Sequence, residues 1–326
     1  MSDRAVVAVD VGGTTMKAGI LGPAGVHDLR RVPTGRERGP DAVVDTLRDV
    51  AMDLLHDCTA EGLDAVAVGV AVPGIVDDQG VGRYSVTLGW RDLPVRARLE
   101  ESLSRPVLVE HDVRAGAAAE VAFGAAVGQR TTLFLPVGTG ISAAIVRDGT
   151  VAPGDTFQAG ELGQVLVPAA RVGAASRDDG LVTLEATSSA RAIAERYARA
   201  CGLPLDGSVT AGTVARAVVD GDDCAVAVWD EAIDRLGSVI AATVAALDPG
   251  TLVIGGGLSR AGATLLEPLR AAIAQHLTWR TVPNVVPARF VDDAGFIGCA
   301  IRAWRDLAGL DVADLAGALA GEGWRT

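Results

Sequence analysis

Val9-Asp10-Val11-Gly12-Gly13-Thr14-Thr15 decides the fold. Before it, residues 5–10 form an apolar, β-branched run, and after it residues 16–21 form another. A hydrophobic strand, a glycine-rich turn and a second hydrophobic strand predict a β-hairpin. The layout recurs later in the chain: residues 131–137 read as a strand, Gly138-Thr139-Gly140 as the turn, and residues 141–146 as the returning strand. Two hairpins of one design predict a duplicated α/β fold whose halves flank a cleft.

The remaining periodicity fits an α/β chain with mixed sheets. Helical spacing covers 41–60, 93–103, 191–201, 213–247 and 261–276, and a last helix starts near 294 and runs past Trp304. The unbroken apolar run 65–72 ends at Pro73-Gly74, as a buried parallel strand would. A short strand at 106–109 leads to Asp112 and an alanine-rich helix over 113–126. Residues 251–254 form a strand that runs into Gly255-Gly256-Gly257. The stretch 165–182, with Ser176-Arg177-Asp178-Asp179-Gly180 inside it, lacks periodicity and reads as a loop.

Bulk properties narrow the function. The 326 residues suit two domains, and the net charge of −12 argues against a polyanionic partner, whether nucleic acid or an anionic membrane surface. Cys58, Cys201, Cys224 and Cys299 are scattered and form no disulfide framework, so they read as free thiols of a reducing cytoplasm. The first strand begins too soon after Met1 for a signal peptide, and no apolar run approaches the length of a membrane span. Lys17 is the only lysine among many arginines. It reads either as a functional cation or as an ordinary strand residue.

Several residues carry chemistry. A tight Gly12-Gly13 turn lets backbone N–H groups approach a phosphate that a Cβ would obstruct, and Thr14 and Thr15 add hydroxyl donors. Asp10, at the strand end, can hold Mg²⁺ directly or through water. The same logic applies to Gly138-Thr139-Gly140, and Gly255-Gly256-Gly257 offers backbone to a nucleotide. Each turn also reads as a plain hairpin, and none matches the P-loop pattern. Asp112 reads as a helix N-cap and as a general base, two roles that can coexist. Glu161 and Glu185 suit sugar hydroxyls, since each carboxylate accepts two hydrogen bonds; solvated surface positions are the alternative.

Taken in order, these segments resemble the ROK family (repressors, open reading frames and kinases), especially its bacterial glucokinases. The resembling segments are Val9–Thr14, Val72-Pro73-Gly74, Leu88-Gly89-Trp90, His111-Asp112 with Glu120 following, Gly138-Thr139-Gly140-Ile141, Ala159-Gly160-Glu161-Leu162-Gly163, Ile254-Gly255-Gly256-Gly257 and Asp293-Ala294-Gly295-Phe296-Ile297-Gly298. The resemblance implies an actin-like, hexokinase-like (ribonuclease H-like) fold. In it, a small domain over 1–110 is completed by a C-terminal helix over about 296–326, and 111–295 form the large domain. It implies ATP and Mg²⁺, with Asp112 as base. Asp10, Gly12, Gly13, Thr14, Thr15, Lys17, Gly138, Thr139, Gly140, Gly255, Gly256 and Gly257 fall on the nucleotide side. Gly74, Thr87, His111, Asp112, Glu161, Gln164 and Glu185 fall on the acceptor side. It further implies a homodimer or homotetramer.

The departures are specific. The family's segment ending in Gly-His, followed by a cysteine-rich zinc motif, has Gln164 in place of the histidine, and 165–183 contain no cysteine. Zinc needs about four N or S ligands, so no zinc is expected there. His111 replaces the usual asparagine, and Thr87 stands where asparagine commonly precedes Leu-Gly-Trp. Polar acceptor-side positions change while the phosphate motifs and Asp112 remain. The expectation is an ATP-dependent kinase acting on the primary 6-hydroxyl of a hexose-like acceptor, such as a 3-amino-glucose or a C7 cyclitol. The alternatives are an ordinary glucokinase, or a sugar sensor related to the family's repressors.

Overall fold

The computed structural model describes residues 3–174 and 180–321; most of the quoted 176–180 segment lies outside them. The chain divides into two compact units: residues 1–127, 153–158 and 293–326 form the first, and residues 128–152 and 159–292 the second.

In the first unit, β1 (Arg4–Val11), β2 (Thr15–Gly22) and β3 (Gly25–Pro33) form an antiparallel meander. Helix α1 (Pro40–Ala60) leads to β4 (Asp64–Val72), which pairs parallel to β1. A small three-stranded sheet follows: β5 (Ile75–Val76), β6 (Gly82–Ser85) and β7 (Trp90–Leu93). Helix α2 (Val95–Leu103) then leads to β8 (Val107–His111), parallel to β4, and α3 (Asp112–Phe123) closes the run. The main sheet is ordered β3-β2-β1-β4-β8.

The second unit repeats the plan. It contains β9 (Thr131–Pro136), β10 (Ala144–Arg147), β11 (Thr150–Ala152), β12 (Leu166–Pro168), β13 (Leu181–Thr183), α4 (Leu184–Ser188), α5 (Ala190–Ala200), α6 (Ala211–Val219), α7 (Asp223–Leu247), β14 (Thr251–Gly255), α8 (Ala263–His276) and β15 (Asn284–Pro287). Its main sheet is ordered β11-β10-β9-β14-β15, again an antiparallel meander extended by two parallel strands. Order and orientation match position by position, so the duplication expected from the two hairpins is a property of whole sheets. Helix α9 (Ala294–Arg302), followed by a wider turn over Ala303–Leu307, belongs to the first unit.

Each unit has its own apolar core. One gathers Val7, Val9, Ile20, Leu47, Leu54, Val68 and Trp90, and the other Leu133, Leu135, Trp229, Leu236, Ile240, Leu252 and Leu269. The boundary falls after Val127 rather than at 110, because α3 packs on α9. Its alanines meet the backbone at Gly298, where a Cβ would lie 1.7 Å from the Ala115 carbonyl oxygen. Only glycine permits that approach.

Other expectations need correction. The spacing read as one helix over 213–247 is two, α6 and α7, separated where Gly221 adopts φ +81° and Asp222 caps the next helix by accepting from the Ala225 N–H. The 165–182 stretch is not all loop, since β12 and β13 pair across it. Residues 93–94 precede α2, because Trp90–Leu93 belongs to β7. Among the described residues, no helix is long and apolar enough to cross a membrane.

Candidate active site

In the first unit the site grows from the β1–β2 turn. The Gly12 N–H donates to the Thr15 carbonyl at 3.0 Å, closing the turn. Buried Thr34 pins it from the end of β3: its hydroxyl donates to the Gly12 carbonyl at 2.7 Å and its N–H to the Thr14 carbonyl at 2.9 Å. Thr14 and Thr15 themselves are exposed. The strand register sets Lys17 opposite Asp10. Lys17 is buried and ion-pairs with Asp293, which stands at the N-terminus of α9. Gly295, in the first turn of α9, lies so close to Asp10 that a Cβ there would be 2.8 Å from the carboxyl atoms. One lysine therefore serves a pocket that holds two carboxylates, with Asp112 adding its charge.

Electrostatics follow from that crowding. Burial, then the charge of Asp112, and further Asp293, raise the Asp10 pKa to about 7, while Lys17 opposes the rise. Withdrawing water from a carboxylate and setting like charges beside it both disfavour ionisation. Asp112 is raised to about 6 by burial, opposed by the Val113 N–H, which donates to Oδ1 at 2.8 Å, and by Arg114. Its side chain nevertheless keeps 35% of its exposure. Asp112 is the first residue of α3 and His111 holds the cap position, so the N-cap reading is corrected by one residue. Nε2 of buried His111 lies 3.1 Å from Asp112 Oδ1.

A network that no sequence motif marks holds this junction. Glu110 Oε1 accepts from the His111 N–H at 2.8 Å and from Arg114 Nε at 2.7 Å, while Oε2 accepts from Arg302 Nη1 at 2.7 Å. Arg114 also donates to the Val76 carbonyl at 2.8 Å. The β8–α3 corner is thereby locked to α9 and to β5. Gly74, at φ +115°, turns the chain between β4 and β5. Thr87 is exposed, and its methyl would lie 2.8 Å from a Cβ at Gly13, so Thr87 and the Gly12-Gly13 turn are neighbours. Trp90 is an anchor: buried, it donates from Nε1 to the Pro40 carbonyl.

In the second unit, Val137 bridges to Ile141 around Gly138-Thr139-Gly140, and the Gly138 N–H donates to the Gly140 carbonyl at 2.9 Å. Glu185, in the first turn of α4, reaches this turn: Oε2 accepts from the Ile141 N–H at 2.9 Å, and a Cβ at Gly140 would lie 2.6 Å from that oxygen. Glu161 is tied to the same segment, with Oε1 accepting from the Ser142 hydroxyl at 3.3 Å. Gln164 is exposed at the end of a short 3₁₀ turn. The third glycine run packs on the hairpin: Val137 donates to the Gly255 carbonyl and accepts from the Leu258 N–H, both at 3.0 Å. Beside Gly257, a cavity of about 580 Å³ is lined by Gly212, Ala215, Arg216, Leu258, Arg260 and Thr264.

The predicted residues thus fall into two clusters. Asp10, Gly12, Gly13, Thr14, Thr15, Lys17, Thr87, His111 and Asp112 lie in the first unit, and Gly138, Thr139, Gly140, Glu161, Glu185 and Gly255–Gly257 in the second. Thr34, Glu110, Arg114, Ser142 and Asp293 are the supporting residues that sequence reasoning missed as roles. Of these, only Asp293 lay within a motif already singled out.

Known proteins share this architecture. The model of the ROK family matches residues 6–305. A glucokinase from Halalkalibacterium halodurans is 34% identical, over 91% of this chain and 94% of that protein. The crystal structure of a ROK hexokinase from Thermus thermophilus is 32% identical with a TM-score of 0.76, covering 94% of this chain and 99% of that one. A ROK family glucokinase from Streptomyces griseus, crystallised with glucose and AMPPNP, is 26% identical with a TM-score of 0.75, covering 91% and 98%. With the family model spanning nearly the whole sequence and both hairpins formed as its motifs require, this chain belongs to the ROK family.

Proposed function

We propose that this chain, an ATP-dependent sugar phosphotransferase, transfers phosphate to the primary 6-hydroxyl of a hexose or hexose-like acceptor, with Asp112 as general base. The observation that carries the assignment is the state of Asp112: a partly exposed carboxylate with a pKa raised to about 6, fixed at the start of α3 beside His111. A base works best when its pKa lies near the operating pH. At neutral pH, Asp112 is mostly ionised yet basic enough to accept the hydroxyl proton and orient the oxygen for in-line attack.

The residues present fit a magnesium nucleotide. Asp10, Asp112 and Asp293 offer hard oxygen donors around one lysine, and Asp10 is crowded enough to hold its proton to about pH 7. Asp10 would hold the cation, directly or through water, and the bound ion would supply neutralisation of phosphate charge. Beyond the Gly12 and Gly138 N–H groups that close the two turns, the following N–H groups of Gly13 and Thr139 would face phosphates, with the exposed hydroxyls of Thr14, Thr15 and Thr139 beside them. Lys17, held by Asp293, keeps the Asp10 pocket from accumulating charge.

Glu161, Glu185, Gln164, His111, Thr87 and the Gly74 turn would bind the acceptor. Three of these positions carry side chains unlike those the glucokinase resemblance implies: Thr87, His111 and Gln164. That pattern favours an acceptor other than plain glucose, a 3-amino-glucose or a C7 cyclitol being the classes it points to. Related kinases span several acceptors: a β-glucoside kinase from Klebsiella pneumoniae is 29% identical and an N-acetyl-D-glucosamine kinase from Photobacterium profundum 30%. The test is a coupled assay over glucose, mannose, 2- and 3-amino-glucose, N-acetylated hexosamines and C7 cyclitols, run with Asp112→Asn alongside. The variant is expected to lose kcat by about 10²–10⁴-fold while acceptor binding survives. A variant that keeps most of its kcat overturns the base assignment, and turnover highest on glucose overturns the altered acceptor.

A further inference from the structure

Outside the site described above, the described residues hold a group of side chains with the chemistry of metal ligands. Cys201, Asp222 and Cys224 each bring a ligand atom within 4.8 Å of the other two. Tetrahedral zinc with Zn–S near 2.3 Å sets its ligand atoms roughly 3.5–3.8 Å apart, so small side-chain adjustments bring the three onto one ion.

The elements that carry them are well fixed. Cys201 closes α5, and its N–H donates to the Tyr197 carbonyl at 3.0 Å. Asp222 caps α7: Oδ1 accepts from the Ala225 N–H at 2.7 Å, and Oδ2 lies 3.3 Å from the Tyr197 hydroxyl. A ligating carboxylate is ordinarily oriented by hydrogen bonds of this kind. Cys224 sits in the first turn of α7, and Cys201 is exposed, which gives an ion an entry path.

We propose that Cys201, Cys224 and Asp222 bind a soft divalent cation, zinc above all, with solvent as the fourth ligand. Two thiolates select zinc over the hard magnesium ion. On binding, each thiol gives its proton to solvent and each sulfur donates a lone pair to the metal, with no change of oxidation state. The ion would tie the end of α5 to the start of α7 and so close the segment between them. Pro204, Leu205 and Gly207 of that segment, with Arg191 and Thr139, line a cavity of about 350 Å³. Metal binding is therefore expected to stiffen one wall beside the second glycine turn.

Cobalt(II) reports on this site without reference to catalysis. The reduced full-length protein is titrated with Co²⁺, and the expected result is one equivalent with thiolate-to-metal charge-transfer bands in the near ultraviolet, displaced by Zn²⁺. Cys201→Ser and Cys224→Ser should each abolish those bands while leaving the circular dichroism unchanged. Saturating zinc should raise the Tm by roughly 5 °C in the parent protein and not in the double variant. Absence of charge-transfer bands overturns the proposal, as does the same cobalt spectrum in the double serine variant. Recovery of a Cys201–Cys224 disulfide from protein prepared anaerobically with reductant also overturns it.

Discussion

Asp10→Asn should make the protein more stable and inactive at once, by an amount that depends on pH. Asp10 has its pKa raised from 3.8 to about 7, chiefly because the fold withdraws water from it. The sign follows from proton linkage. Between these two values the folded state holds a proton that the unfolded state has released, so stability falls as pH rises through the window. At about 1.36 kcal/mol per unit, the full shift corresponds to about 4 kcal/mol above pH 7. Asp10 remains partly accessible, so we halve this to about 2 kcal/mol, which is roughly 5 °C in Tm for a unit of this size. Asparagine keeps the shape and removes the charge, and the Lys17–Asp293 pair stays in place. Thermal unfolding of both proteins in EDTA should converge towards pH 3, below the unfolded value of 3.8, where Asp10 is protonated in both states, and diverge towards pH 8 with the variant higher. Added Mg²⁺ should narrow the gap by stabilising only the parent. A variant less stable than the parent at pH 8, or a gap that does not change between pH 3 and 8, would refute the reasoning.

Two further substitutions probe the supports. Glu110→Ala leaves Arg114 and Arg302 without their shared carboxylate; breaking a buried ion network of this kind costs about 3–5 kcal/mol, so a Tm drop of roughly 10 °C is expected, and a drop of only a degree or two in differential scanning fluorimetry would show that the network carries little. His111→Asn restores the residue usual in the glucokinases that the chain resembles. It is expected to shift relative kcat/KM towards glucose by about tenfold, worth about 1.4 kcal/mol, and an unchanged acceptor profile would place His111 outside the acceptor's reach.

What was legible in the sequence, and what was not, divides along physical lines. The strands β1, β4, β9 and β14 are buried on both faces, so they read as continuous apolar runs that need no partner to be recognised. β3 spells GVHDLRRVP on a sheet edge, with none of its residues buried, and its composition resembles a loop. The break between α6 and α7 was written in Gly221-Asp222, but the apolar spacing runs through it and outweighed the punctuation. The alanine-rich stretch after Asp112 was legible as a helix but not as a member of the first unit. Its reason for staying there, Gly298 against Ala115, lies far away in the chain.

The site follows the same rule. Glycine turns announce themselves because backbone that must approach a ligand cannot carry a Cβ, and that demand is local. The charge balance around Asp10 does not announce itself, because Lys17 and Asp293 are separated by 276 positions. Yet the sole lysine of the chain is one half of that pair, in a protein that elsewhere uses arginine for its cations. A guanidinium is a planar fork that seeks two acceptors and holds its proton against burial, whereas an ammonium is a compact point charge. The wall beside Asp10 is so tight that Gly295 has no room for a methyl, and a compact cation suits such a wall better than a planar fork. The single lysine of the chain thus stands opposite Asp10 in the first hairpin, paired with Asp293 at the start of α9, where its charge opposes the rise of the Asp10 pKa.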